Sequence, residues 1–237
     1  MNVWDLETVI REDYLHDIRP DFLWSKAFIL RALNESVRQA CNRTNFLFDD
    51  TVSITLVNGT ASYPISQLTT QIEYVEFENK EVEHISKHDI QRKDPEWRTR
   101  TVMTDKVVHY MMRGRTLTFI PSPALVDDGK IVNLEVFRLP LLPLVDDTDT
   151  PEIPEEFHRD LIYWVLHEAY KKRDADAYNQ EKSDYYLARF TEIFGEYVSS
   201  EVRLNKLEQA RSLHLMPTAY EVNLTRFDDS DEFDRDD

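Results

Sequence analysis

Two imidazoles four residues apart, His84 and His88, have the spacing at which one helix face can chelate a metal ion. The pair lacks the glutamate that a zinc-protease helix carries after its first histidine, since Ile85 stands there. His84 also falls in a strand-like segment while His88 opens a polar one, so the two do not share a face and read as surface histidines. His158 and His167, nine residues apart, have no common chelating face and read as structural. Cys41 lies on an apolar helical stripe, where a thiol is buried and inert rather than nucleophilic. Asp146-Asp147-Thr148-Asp149 offers carboxylates of the kind calcium takes, but no glycine-turned loop and no closing glutamate, so it reads as solvated linker. No serine sits in a Gly-x-Ser-x-Gly elbow, and with 45 acids in the chain no carboxylate pair stands out as a catalytic couple. Gly59, Gly114, Gly129 and Gly195 are the four glycines, too scattered to cradle a phosphate or a dinucleotide. The expectation is therefore no catalytic residue, no metal site and no cofactor.

The elements that would position any such group emerge from composition and period. The chain has 237 residues, 41% hydrophobic and 31% charged, enough apolar material for one sizeable core or two small ones. Forty-five acids against 28 Lys and Arg leave a net charge of -17, which repels phosphates and excludes tight sequence-reading DNA binding over the average surface. A single cysteine excludes an intramolecular disulfide framework. The opening residues carry charges throughout, and no later run approaches the ~20 apolar residues that span a bilayer, so a soluble protein without a signal peptide is expected. The Asn-x-Thr triplets at Asn42, Asn58 and Asn223 then have no glycosylation route.

Residues 1–50 read as N-terminal helices: a short one over Val3 to Asp17, then an amphipathic one from a cap at Asp21 to Thr44 with Leu23, Ala27, Leu30, Leu33, Val37 and Ala40 on its stripe. Residues 51–139 read as an antiparallel β region. Val52–Val57 and Thr60–Ile65 flank Asn58-Gly59 as a hairpin, and further strands are expected at Ile72–Phe77, Val82–Ile85, Val107–Met112, Thr116–Ile120 and Ile131–Phe137. Residues 140–154 form a Pro/Asp-rich extended linker with little core of its own. Residues 155–212 read as C-terminal helices: one runs to about Asp174, and a long helix or two collinear helices, weakened at Gly195, run from Ala177 to about Arg211. The fold class expected is α+β, with a helical bundle made from both ends of the chain and a β-rich insertion between them.

Residues 213–237 form an extended acidic C-terminal arm. Tyr220, Val222 and Leu224 alternate with Glu221, Asn223 and Thr225, so a strand would carry three apolar side chains on one face, with Phe227 and Phe233 set among acids beyond. From Asp228 to Asp237 seven acids stand against Arg235, a density that resists folding alone. A frayed solvating tail and an arm that orders on a partner both fit that pattern.

The order of four segments resembles the head-to-tail adaptor (connector) proteins of tailed bacteriophages. They are Val37-Arg-Gln-Ala-Cys-Asn-Arg-Thr44, Thr55-Leu-Val-Asn-Gly-Thr-Ala-Ser-Tyr-Pro-Ile65, Gly114-Arg-Thr-Leu-Thr-Phe-Ile-Pro-Ser-Pro123 and Pro151-Glu-Ile-Pro-Glu-Glu-Phe-His-Arg-Asp-Leu-Ile162, within a likeness over residues 20–195. The resemblance implies a structural protein and no enzyme, with no cofactor: a homo-oligomeric ring of about twelve copies that docks under the portal protein and extends the DNA channel toward a downstream tail protein. It implies a virion component at the head-to-tail interface, assembled in the host cytoplasm, that touches genomic DNA only transiently and without sequence preference. It also implies a portal-docking arm, for which Tyr220, Val222, Leu224, Phe227 and Phe233 are the candidate partner-binding residues. Two other classes are compatible with the residues alone: an acidic soluble enzyme with a carboxylate site, and a monomeric binding module that uses the arm.

Overall fold

In the computed structural model the described residues are 1–18, 21–98, 107–173 and 178–204. The first helix, α1 (Val3–Val9), opens on a reciprocal cap: the Asn2 side chain accepts from the Asp5 amide at 2.8 Å and Asp5 accepts from the Asn2 amide at 3.1 Å. It widens into a π-helical turn, Ile10–Leu15, and buries Val3, Leu6 and Ile10. The chain beyond this turn is held by a charge pair almost closed to water. Arg11 donates to Asp17 at 2.8 Å and to Glu7 at 2.8 Å, while Asp17 also accepts from the Leu23 and Trp24 amides.

That knot delays the next helix. The cap is Ser25 rather than Asp21, and α2 (Lys26–Thr44) starts only after Trp24 has been drawn into the core. Ile29, Leu33, Val37, Ala40 and Cys41 form its buried stripe, and Leu23 stays outside it, exposed. Asn45 at φ 56 ends the helix in the left-handed conformation that asparagine tolerates, and the chain turns at once into the sheet.

The central strands build two four-stranded sheets. Sheet A has the order β1 (Leu47–Thr55), β8 (Ile131–Arg138), β3 (Thr69–Phe77), β4 (Lys80–Glu81), antiparallel throughout. Sheet B has the order β2 (Ser62–Pro64), β7 (Thr116–Ile120), β6 (His109–Arg113), β5 (Glu83–His84), with β5 running parallel to β6. Inward side chains of both sheets, among them Ile72, Val75, Val132, Leu134 and Val136 from A and Tyr63, Leu117, Phe119, Tyr110 and Met112 from B, pack into one apolar cluster.

Two expectations are corrected here. Asn58-Gly59 is a turn, with Gly59 at φ 76, but it joins no hairpin: β1 pairs with β8 and β2 with β7, so the chain crosses from one sheet to the other. The turn is held from outside, by Gly59 N–H donating to the Pro123 carbonyl at 2.9 Å and Asn58 N–H to Asp128 at 2.8 Å. The β region is also not wholly antiparallel, because β5 reaches β6 through a crossover that contains a short helix, α3 (Lys87–Lys93), capped by Ser86.

The stretch after β8 is a packed strap instead of a solvated linker. Leu139, Leu144 and Ile153 are buried in the helical core, and Asn34 of α2 clamps Leu144 by donating to its carbonyl (2.9 Å) and accepting from its amide (2.7 Å). Asp147 pairs with Lys26, while its carbonyl and that of Asp149 accept from the Trp4 and Val3 amides of α1. Two 3-10 turns, Glu155–Phe157 and Arg159–Leu161, lead into α4 (Ile162–Lys171); Pro154 precedes the first turn. From Asn179, whose side chain caps it, α5 (Gln180–Phe194) packs against α4 through Phe190 and Phe194, beside Phe46, Phe157 and Trp164. Of the long helix or the two helices expected from Ala177, the structure shows a break at the weak point: Gly195 at φ 81 ends α5, and a separate helical segment occupies residues 200–204, the last described. The bundle and the sandwich thus each bury a core of their own.

Candidate functional site

The five arm residues, Tyr220, Val222, Leu224, Phe227 and Phe233, lie outside the described residues. Of the other residues singled out by type, the structure disperses most. His84 is buried in β5 with its ring edge-on to Tyr110 at 5.2 Å, not on the surface, and His88 stands exposed on α3. His158 contacts the Ile153 carbonyl through Nε2 at 2.9 Å. His167 meets the Ser183 hydroxyl through Nδ1 at 2.9 Å, and that hydroxyl donates to the His167 carbonyl at 3.0 Å, tying α4 to α5. Both histidines therefore have structural roles. Burial, with Glu152 adding to it, pushes the Cys41 thiol up to about 12, so it stays protonated and unreactive. Among the described residues no three His, Cys, Asp or Glu side chains gather as a metal site.

What the structure does gather is surface for contact, at three places. The first is a groove of about 960 Å³ between α2 and the strap. Val37, Leu68, Leu139 and Leu144 line it, Leu141 and Leu142 stand out at its rim, and Arg31 and Arg38 of α2 are exposed along one side. Its carboxylates are largely engaged within the chain. Glu152 accepts from Arg138 (2.6 Å) and from the Leu141 amide (3.1 Å), and Asp149 accepts from the Val145 and Asp146 amides. Each is held below the ordinary carboxylate range, Glu152 chiefly by the Arg138 hydrogen bond and Asp149 by the Asp146 and Val145 amides.

The second place is the far end of the sandwich. Leu125 and Val126 project from the loop between β7 and β8, 75% and 65% exposed, beside exposed Val57 and Ile131. The loop beneath them is rigidly built: Leu56 exchanges backbone hydrogen bonds with Gly129 and Lys130, and Lys130 bridges the buried Asp127 (2.8 Å) and Glu78 (2.6 Å). The third is where the last described residues are held. Leu204 is buried in the sandwich core, and Arg203 binds the Asn45 side chain and, at 3.2 Å, the Arg43 carbonyl, so this segment is anchored where bundle and sandwich meet.

Sequence reading missed the first two. The run from Leu139 to Val145 has five apolar residues, but its prolines suggested a linker; Leu125-Val126, sandwiched between Pro123 and Asp127-Asp128-Gly129, offered an apolar pair inside a turn, which is the available signal.

An apolar groove and an exposed apolar tip are features of proteins that contact other macromolecules. Over residues 1–214 the sequence matches the family described as SU10 adaptor protein, and the chain belongs to that family of phage adaptors, which are structural components of the virion. The match takes in both helical ends and the sandwich, beyond the 20–195 span of the resemblance, and stops six residues before Tyr220. A search of curated proteins found no match. Among the described residues no helix is long and apolar enough to cross a membrane.

Proposed function

We propose that this adaptor forms a closed ring of about twelve copies that docks under the portal, extends the DNA channel toward the tail, and reaches the portal through its C-terminal arm. The observation that carries this reading is the family match over residues 1–214, which leaves the alternating Tyr220, Val222, Leu224 segment as an addition beyond the shared fold. Arg203 and Leu204, anchored upstream of the arm, support it, because a tether held at a fixed point limits the volume its far end searches for a partner. Strand addition would use Tyr220, Val222 and Leu224, and Phe227 and Phe233 would fill pockets on either side of a run of acids. The net charge of -17 per copy suits a conduit that passing DNA does not stick to.

The test is to mix the purified protein with its portal and image the product by electron microscopy. Rings seated on the portal are expected, and a version truncated after Pro217 should fold normally yet fail to dock. A protein that stays monomeric beside the portal would overturn the ring, and unchanged docking by the truncated chain would overturn the role of the arm.

A further inference from the structure

The groove and the apolar tip lie at opposite ends of one stiff element. Strand β8 runs from Ile131, at the tip, to Arg138, where the strap begins, and at ~3.4 Å per residue that places them about 24 Å apart. A tip on this sandwich cannot bend back into its own groove. The tip is apolar with an exposed acid, Asp128, one oxygen of which accepts from the Asn58 amide. The groove is apolar, with exposed Arg31 and Arg38 on either side of Glu35, which Gln39 and Arg38 engage. Asp149 and Glu152 are bonded within the chain, so the cations left to meet an incoming acid are Arg31 and Arg38. Arg31 has no ion-pair partner among the described residues, and Arg38 has only a 3.9 Å contact to Glu35.

We infer that the tip carrying Leu125 and Val126 of one copy seats in the groove rimmed by Leu141 and Leu142 of the next, with Asp128 facing Arg31 and Arg38. Two different patches on one body make a heterologous, head-to-tail contact, and repetition of such a contact closes into a ring when the rotation per step allows it. Burying exposed Leu and Val side chains in an apolar groove supplies the attraction, and the Asp-Arg pairing at the rim fixes the register. This rests on the ring reading above and specifies which surfaces join neighbouring copies.

Cross-linking tests it in the presence of the portal. Cys41 is buried and its thiol protonated, so introduced cysteines report alone. With a short bismaleimide, a mixture of Val126→Cys and Leu142→Cys proteins should give cross-linked dimers, either variant alone should give none, and the double variant should give a ladder that ends at the copy number of the ring. Leu125→Asp with Val126→Asp should abolish ring formation while leaving the far-ultraviolet circular dichroism unchanged, since both side chains are exposed. Asp128→Arg should weaken assembly by about three- to tenfold, and Arg38→Asp should restore it. Rings that form without the Val126–Leu142 cross-link and tolerate the two aspartates would overturn this contact and leave the ring standing. A protein that forms no ring on the portal at all would remove the ring itself and this contact with it.

Discussion

Replacing Arg138 by methionine probes the joint between sandwich and strap. Its side chain is 14% exposed, and the guanidinium donates to Asp49 of β1 at 2.8 Å, to Glu152 at 2.6 Å and to the Leu139 carbonyl at 3.2 Å. Methionine keeps the apolar stem and removes all three bonds. Asp49, equally covered, loses a charge-assisted bond worth about 1–2 kcal/mol, and Glu152, about a third exposed and therefore partly resolvated, loses about 0.5–1 kcal/mol, for a total near ~2 kcal/mol at neutral pH. The pH dependence has a definite sign. Glu152 is held below its ordinary value of 4.5 chiefly by the Arg138 bond; Asp49 is held below 3.8 first by the Thr51 hydroxyl and amide and then by Arg138. Acids with lowered values in the fold contribute stability that is complete above their unfolded values and disappears as pH falls through the folded ones. The gap between wild type and Arg138→Met should therefore be full at about pH 7 and should narrow by about pH 3.5. Urea unfolding at both pH values, compared by midpoint at constant slope, measures it. A loss under about 0.5 kcal/mol at neutral pH, or a gap of the same size at both, would refute the assignment.

Three further outcomes are expected. Gly195→Ala should destabilise by about 1–3 kcal/mol, because φ 81 with ψ 178 is a conformation nearly restricted to glycine; a Cβ there would meet no atom within 4 Å, so thermal melting reads the backbone cost alone. Ser183→Ala removes the buried hydroxyl between α4 and α5 and should cost about 1–2 kcal/mol in denaturant unfolding, whereas an unchanged midpoint would show that the bond to the His167 carbonyl contributes nothing. Cys41 should resist a thiol reagent in the native protein at about pH 8 and react at once in denaturant, and rapid native labelling would contradict its burial.

The helical ends and the central strands were legible because local period reports which face is apolar, and Leu33, Val37, Ala40 and Cys41 obey it; at the start of α2 the stripe read from the sequence is off phase, with Leu23 and Ala27 exposed and Ile29 and Ala32 buried in their place. Partner choice was not legible. Asn58-Gly59 announces a turn, but whether the next strand pairs back or crosses to a second sheet depends on partners distant in sequence, and the turn itself is held by Pro123 and Asp128, 64 and 70 residues away. The start of α2 lies at Ser25 because Asp17, a long step upstream, takes the amides of Leu23 and Trp24, a use of a carboxylate that no helical pattern encodes. The strap reads as loop by its prolines, and only the Asn34 clamp and the burial of Leu139, Leu144 and Ile153 reveal it as part of the core. His84 is buried where its spacing suggested surface, and the exposed apolar surfaces escaped notice because exposure of an apolar side chain is a property of the fold and not of its spelling.

Leu47 and Arg138 face each other in the β1–β8 ladder, so the strand that leaves the bundle and the strand that returns to it stand only about 5 Å apart. The sandwich is thereby inserted like a cassette through one narrow covalent bracket, with Leu68 and Leu204 packing across the joint. A lineage could exchange it for a shorter or differently tipped module without redesigning the bundle, provided that Leu204 found a new seat. Diversity among relatives should consequently concentrate between those two residues, with the helical chassis inherited nearly intact.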